Sequence, residues 1–153
     1  MNYKGYEIEI KQDENVESPR EWDNMGKMIC FHRNYRLGDK HSYSTDDLKD
    51  TIKQKDVFSL PLYLYDHGGI SISTGSFIGR AQHAQWDSGC VGAIIVTYED
   101  IRKEYNVKKV TKKILEKVEK QLKSEVETYD QFLTGDVYGY EITKDGEDID
   151  SCW

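Results

Sequence analysis

The chain has 153 residues, a net charge of −7 and a pI near 5.1, with 37% hydrophobic residues, 12% aromatic residues and a mean hydropathy of −0.76. That length suits one domain with one core, burying about two-thirds of its unfolded surface, and the acidic balance argues against direct nucleic-acid binding, which draws its affinity from clustered cations displacing counterions. No apolar run reaches the roughly 20 residues of a bilayer span and Met1-Asn2-Tyr3-Lys4-Gly5 has no apolar signal core, so the expectation is a cytoplasmic protein with no membrane contact.

Tyr6–Ile10 alternates large or apolar side chains with acids, the period-two pattern of a half-buried strand. Lys11–Arg20 is polar and reads as a loop through Ser18-Pro19. Glu21–Lys27 allows a helical turn, and Met28–Phe31 is a short apolar run whose type the sequence leaves open. Arg33–Tyr43 has no periodicity and reads as an exposed loop. Ser44-Thr45-Asp46-Asp47 is a capping pattern that starts a short helix to about Lys55. Ser59–Tyr65 and Ile70–Thr74, joined by Asp66-His67-Gly68-Gly69, give the strongest hairpin signal, with Pro61 suited to an edge or strand start.

Gly75–Gly89 is a long polar stretch of the kind that is mobile or functional inside a domain. Val91–Val96 is apolar and β-branched enough for a central strand buried on both faces. Thr97-Tyr98-Glu99-Asp100 starts a second short helix through about Tyr105. From Thr111, apolar residues at Ile114, Leu115, Val118, Leu122, Val126, Tyr129 and Leu133 form one stripe on a long helix ending at Gly135. Val137–Ile142 is another strand, followed by an acidic tail, Lys144–Asp150, and Ser151-Cys152-Trp153. The pattern predicts an α+β fold, residues 1–153 as a single domain. It has a mainly antiparallel sheet of five or six strands, covered on one face by the long helix of the C-terminal half, plus one or two short helices.

Charge is split along the chain: residues 102–123 carry nine Lys/Arg against three acids, and residues 124–153 carry nine acids against one Lys. Lys109, Lys113, Lys117 and Lys120 lie along one side of the long helix, where pairs such as Glu119–Lys123 solvate an exposed face. Cys30, Cys90 and Cys152 lack the short paired spacings of zinc sites, and His32, His41, His67 and His83 lack HxH or HxxxH spacing. No metal or cofactor is expected.

The central segment Tyr65–Gly92 holds the candidate chemistry. If its two turns adjoin, Cys90 is a nucleophile candidate with His67 as base and Asp66 or Asp87 as orienting acid, a Cys-His-Asp hydrolase arrangement. The plainer reading is turn chemistry at Asp66–Gly69 and a strand entrance at Ser88-Gly89-Cys90. As a recognition surface, the segment offers Tyr65, Asp66, His67, Arg80, Trp86, Asp87 and Ser88. Its loop could close over a nucleotide or signalling anion, with Arg80 supplying charge and Trp86 stacking. Eleven tyrosines and three tryptophans exceed what a core this size needs, and such side chains favour interfaces with a protein partner or a second copy of the chain.

At Tyr65, Asp66, His67, Gly69 and Ile70, at Trp86, Asp87, Ser88, Gly89, Val91 and Gly92, and at Glu127-Thr128-Tyr129-Asp130, Leu133-Thr134-Gly135 and Asp150-Ser151-Cys152-Trp153 the chain resembles a family of small uncharacterised phage and mobile-element proteins, from about Ser18 onward. The Trp-Asp-Ser-Gly-x-Val-Gly block is the most specific part. The resemblance implies no catalytic residues and a block that tolerates other residues at Cys90. It also implies an acidic C-terminal end shorter than in relatives, and a setting in a host cell. The leading expectation is a non-enzymatic accessory protein that binds and inhibits a host factor, a defence system in anti-CRISPR-like or other anti-defence fashion. A nucleotide- or anion-binding protein is the alternative.

Overall fold

In a computed structural model, which describes residues 1–80 and 88–153 with Ser88 placed through its backbone alone, the chain builds two antiparallel four-stranded sheets. In chain order the strands are β1 (Asn2–Tyr3), β2 (Tyr6–Gln12), β3 (Lys27–Cys30), β4 (Val57–Asp66), β5 (Ile70–Ser73), β6 (Ser88–Thr97), β7 (Tyr138–Lys144) and β8 (Glu147–Cys152). The helices are α1 (Thr45–Ile52), α2 (Tyr98–Tyr105) and α3 (Lys112–Thr134), with a 3-10 turn at Pro19–Glu21. The core sheet has the order β3-β6-β4-β5, and the terminal sheet the order β1-β2-β7-β8.

Local chemistry sets the helix ends. Ser44 and Asp47 form a reciprocal capping box at the start of α1, and Thr97 and Thr111 accept from Asp100 N and Ile114 N at the starts of α2 and α3. Gly135 ends α3 at a φ of 71°, where the Asp136 amide reaches back to the Gln131 carbonyl at 2.8 Å. The apolar stripe of α3 buries Val118, Leu122, Val126 and Tyr129 against Met28, Leu62, Leu64, Ile72, Ile94 and Val96 of the core sheet. Each fully buried side chain of this kind contributes about 1.5–3 kcal/mol.

β6 is buried on both faces, as its continuous apolar run predicts. Ile94 and Val96 face α3, while Ala93 and Ile95 join Ile29 and Leu48 of α1 on the other side. The core sheet is therefore covered on two faces, where the sequence suggested one. Pro61 lies well inside β4, yet the pairing of β4 with β5 begins only at Tyr63, so that flank of β4 is locally an edge and tolerates a residue without an N–H.

Carboxylates of α3 fasten it to the sheet. Asp130 Oδ1 accepts from Ser71 Oγ at 2.7 Å and from the Ile72 amide at 2.8 Å. Asp130→Ala leaves that half-buried amide unpaired and should cost about 1–3 kcal/mol in denaturant unfolding. Asp130→Asn, whose amide oxygen can still accept, should recover part of the loss. Equal stability of the alanine variant and the wild type would show that Asp130 pins nothing.

The single predicted sheet is corrected here to two. The acidic stretch after Lys144 is strand β8, returning through Asp145 (φ 52°) and Gly146 (φ 83°) to pair with β7. Lys4 (φ 48°) and Gly5 (φ 83°) make the matching tight turn between β1 and β2.

Candidate functional site

One end of the core sheet gathers the chemistry-bearing segments. β3 and β4 leave the sheet there and β6 enters it, with Tyr65 opposite Ser88, Tyr63 opposite Cys90 and Cys30 opposite Gly92. The Asp66–Gly69 turn and the start of β6 are thus neighbours. The turn closes through the His67 amide and the Gly69 carbonyl at 3.0 Å, with Gly68 at a φ of 69°.

Three of the proposed binding residues are brought into one stack. The Tyr65 ring lies 6.0 Å from the His67 ring and 5.6 Å from that of Phe77, and the Arg80 guanidinium sits 5.7 Å over Phe77. Asp66 ends β4 opposite Ile70. Phe77, buried between Tyr65 and Arg80, has no signal in the sequence because one aromatic in a Gly/Ser stretch has no periodic neighbours. Trp86, Asp87 and His83 lie outside the described residues.

The nucleophile arrangement is not assembled among the described residues. The Cys90 thiol contacts the Gly92 carbonyl at 3.7 Å, and no imidazole among those residues lies within hydrogen-bonding reach of it. His67 is four positions beyond Tyr63, the residue opposite Cys90, a run of roughly 13 Å along an extended strand. Cys30 is no substitute, because burial, with Asp39's charge adding, pushes its thiol up to about 12. No group of three or more metal-ligating side chains occurs among the described residues, and no helix there is long and apolar enough to cross a membrane.

On the β3 side of the same sheet end, the loop after Cys30 lines an open cleft of about 1050 Å3. Its lining includes Arg20, Arg33, Arg36 and Lys40, against two carboxylates, Glu21 and Asp39. Asp39 is already engaged: its two oxygens take Arg20 Nε and Nη2 at 2.9 and 2.8 Å, and Oδ2 also accepts the Met28 amide. Arg33, Arg36 and Lys40 are exposed and, among the described residues, have no carboxylate within ion-pair distance.

The wall of this cleft is tied down. His41 Nε2 meets the Cys30 carbonyl at 3.0 Å while Nδ1 accepts from the Tyr43 amide at 3.2 Å, which places the proton on Nε2. His32 Nδ1 accepts from the amides of Asn34 and Tyr35 at 3.1 and 3.2 Å, so its Nε2 also carries a proton. Gly38, at a φ of 71°, bridges to Ile29 and donates its amide to Tyr129 Oη at 3.0 Å. A Cβ there would meet the Met28 carbonyl oxygen at 2.6 Å. From its lack of periodicity this segment reads as an exposed loop. The only local signal was the density of Arg33, Arg36, Lys40 and two histidines in an otherwise acidic chain.

No family model, curated protein or solved structure matches the chain.

The terminal sheet is a second surface with an unusual balance. Among the described residues, none of its side chains belongs to the buried apolar set. Register puts Ile8 opposite Ile142 and Ile10 opposite Tyr140, so Tyr6, Ile8, Ile10, Tyr138, Tyr140 and Ile142 share one face. Ile10 is 66% exposed, Tyr138 58% and Tyr140 38%. On the opposite face, Lys11 bridges Glu9 and Glu141 at 3.2 and 2.6 Å, and Trp153 lies over Gly139.

Proposed function

We propose that the protein works by binding rather than by covalent chemistry. It is an accessory protein of phage or mobile-element type that engages and inhibits a host protein, a defence component in the leading form of this reading. The observation that carries it is the terminal sheet. A four-stranded antiparallel sheet normally needs one apolar face covered to be stable, and this one exposes isoleucine and tyrosine side chains in a row. Tyrosine on a flat, half-rigid surface is characteristic of protein interfaces, because it adds contact area at little entropic cost.

The rim narrows the partner. Lys4 lies 5.3 Å over Tyr3 and Lys144 lies 5.1 Å over Tyr6, but the β7–β8 hairpin adds Asp145, Glu147 and Asp150 against Lys144. A host surface with apolar ridges and a basic border is its complement.

Co-purification with tagged protein from a native host tests the reading. Ile10→Lys combined with Tyr140→Glu, an opposite-charge pair across the two strands, should reduce recovery of the captured host protein at least tenfold. The unfolding midpoint should stay close to wild type, since exposed substitutions of this kind usually change stability by less than about 0.5 kcal/mol. Capture that survives the double substitution sinks this surface as the docking face. A dimer in sedimentation equilibrium that the same variant dissociates would identify a second copy of the chain as the cover instead.

A further inference from the structure

The cleft beside β3 is independent of the terminal sheet, and its composition is hard to reconcile with a merely solvated loop. In a chain of net charge −7, three cations, Arg33, Arg36 and Lys40, line one cleft without carboxylate partners among the described residues. Like charges held close repel, and a solvated loop relieves this by spreading its side chains. Here the backbone that bears them is fastened at His32, Gly38, Asp39 and His41 by the hydrogen bonds described above. Such pre-organisation lowers the ordering cost of binding an anion. Guanidinium forks match the geometry of phosphate oxygens, and the His32 Nε2–H adds a neutral donor to the lining.

We propose that this cleft binds a nucleotide of the nucleoside diphosphate or triphosphate class, its phosphates held by Arg33, Arg36 and Lys40 and its base stacked on Tyr35. Volume decides between a bare anion and a larger molecule. About 1050 Å3 is at the upper end of small-ligand sites, which run to roughly 1,000 Å3, and is far more than one phosphate fills. Tyr35 supplies the flat surface: its ring packs 4.9 Å from that of His32, tilted by 35°, and remains 37% exposed. Beneath, Cys30 and Leu37 give an apolar floor, with the thiol kept neutral. A polymer is disfavoured because the cations converge on a cleft instead of forming a stripe, and the surrounding acidic protein repels an extended phosphate backbone.

Isothermal titration calorimetry on the full chain tests this, with the common ribonucleoside diphosphates, inorganic pyrophosphate and a single-stranded oligonucleotide as probes. The expected result is saturable one-site binding of at least one nucleotide, tighter than pyrophosphate. Arg33→Gln with Arg36→Gln should weaken it at least tenfold, and Tyr35→Ala should erase the advantage over pyrophosphate. All three residues are exposed, so the unliganded variants should unfold at the wild-type denaturant concentration. No binding of any nucleotide at millimolar concentration overturns the proposal, as does binding unchanged in the double glutamine variant. Pyrophosphate binding as tightly as every nucleotide overturns the nucleotide assignment, and tighter binding of the oligonucleotide shows a polymer site instead.

Discussion

Arg20→Met is expected to lower stability by about 3–5 kcal/mol, the range seen when one partner of a buried ion pair is removed. The Arg20 side chain is 3% exposed and the Glu125 side chain 5%, and the guanidinium reaches three partners, at positions 26, 39 and 125. It forks onto Asp39, approaches Glu125 at 3.5 Å and donates to the Gly26 carbonyl at 2.7 Å. Burial alone lowers the guanidinium's pKa, but the Asp39 hydrogen bonds and the two carboxylate charges outweigh it and hold it above its ordinary value. Glu125 in turn accepts the amides of Met25 and Gly26 at 2.8 and 3.1 Å. This network docks α3 against the chain entering β3 and holds the wall of the cationic cleft. Removing the guanidinium strands a carboxylate in a nearly dry site, where its solvation cannot be replaced.

For a chain of this length the loss corresponds to a Tm lower by roughly 10 °C. Glu125→Gln in the Arg20→Met background should restore part of the stability, because it removes the stranded charge while keeping an acceptor for one amide. A double-mutant cycle by denaturant unfolding reads that coupling. An Arg20→Met protein within 1 kcal/mol of wild type, on the scale of an exposed pair, would show that the network contributes no more than a surface salt bridge.

Gly92→Ala is expected to be nearly as damaging, for a steric reason. A Cβ at Gly92 would collide with the Ile29 carbonyl oxygen and would lie 2.9 Å from the Ile29 carbonyl carbon and 3.0 Å from Cys30 Cα. These are backbone atoms of the paired strand β3, so no rotamer change relieves the clash and the ladder must separate. The cost should reach about 3 kcal/mol, the upper end for overpacking a core. Gly89, three residues earlier in the same block, has no atom of the described residues within 4 Å of where its Cβ would go. Gly89→Ala should fold like wild type. Comparing the two unfolding midpoints checks the argument, and equal midpoints would mean that β3 and β6 are not held in this register. The closing glycine of the Trp86–Gly92 block thus has a structural reason that needs no functional role.

Much of the core was legible because its signals are local. Capping patterns at Ser44 and Thr97 marked helix starts, Gly135 marked an end, and the three-and-four spacing from Ile114 to Leu133 marked the buried face of α3. The hairpin at Asp66–Gly69 and the two-sided burial of β6 were readable from alternation and its absence. The terminal sheet was misread where a local signal competed with composition. Asp145-Gly146 is a hairpin turn by residue type, but the acids around it suggested a solvated tail, and Glu147–Cys152 has no apolar period to contradict that.

The sequence by itself determined the class of fold, the long helix with its apolar face and the hairpin at Asp66–Gly69, because each depends on residues within one or two turns of one another. Only the tertiary structure decided three things. The second and seventh strands pair, bringing Lys11 to Glu141 across 130 positions. Arg20, Asp39 and Glu125 meet in one buried network. The cations of an aperiodic loop line a single cleft. Each joins residues far apart in the chain, and their proximity follows from how sheet and helix pack, which no local pattern encodes.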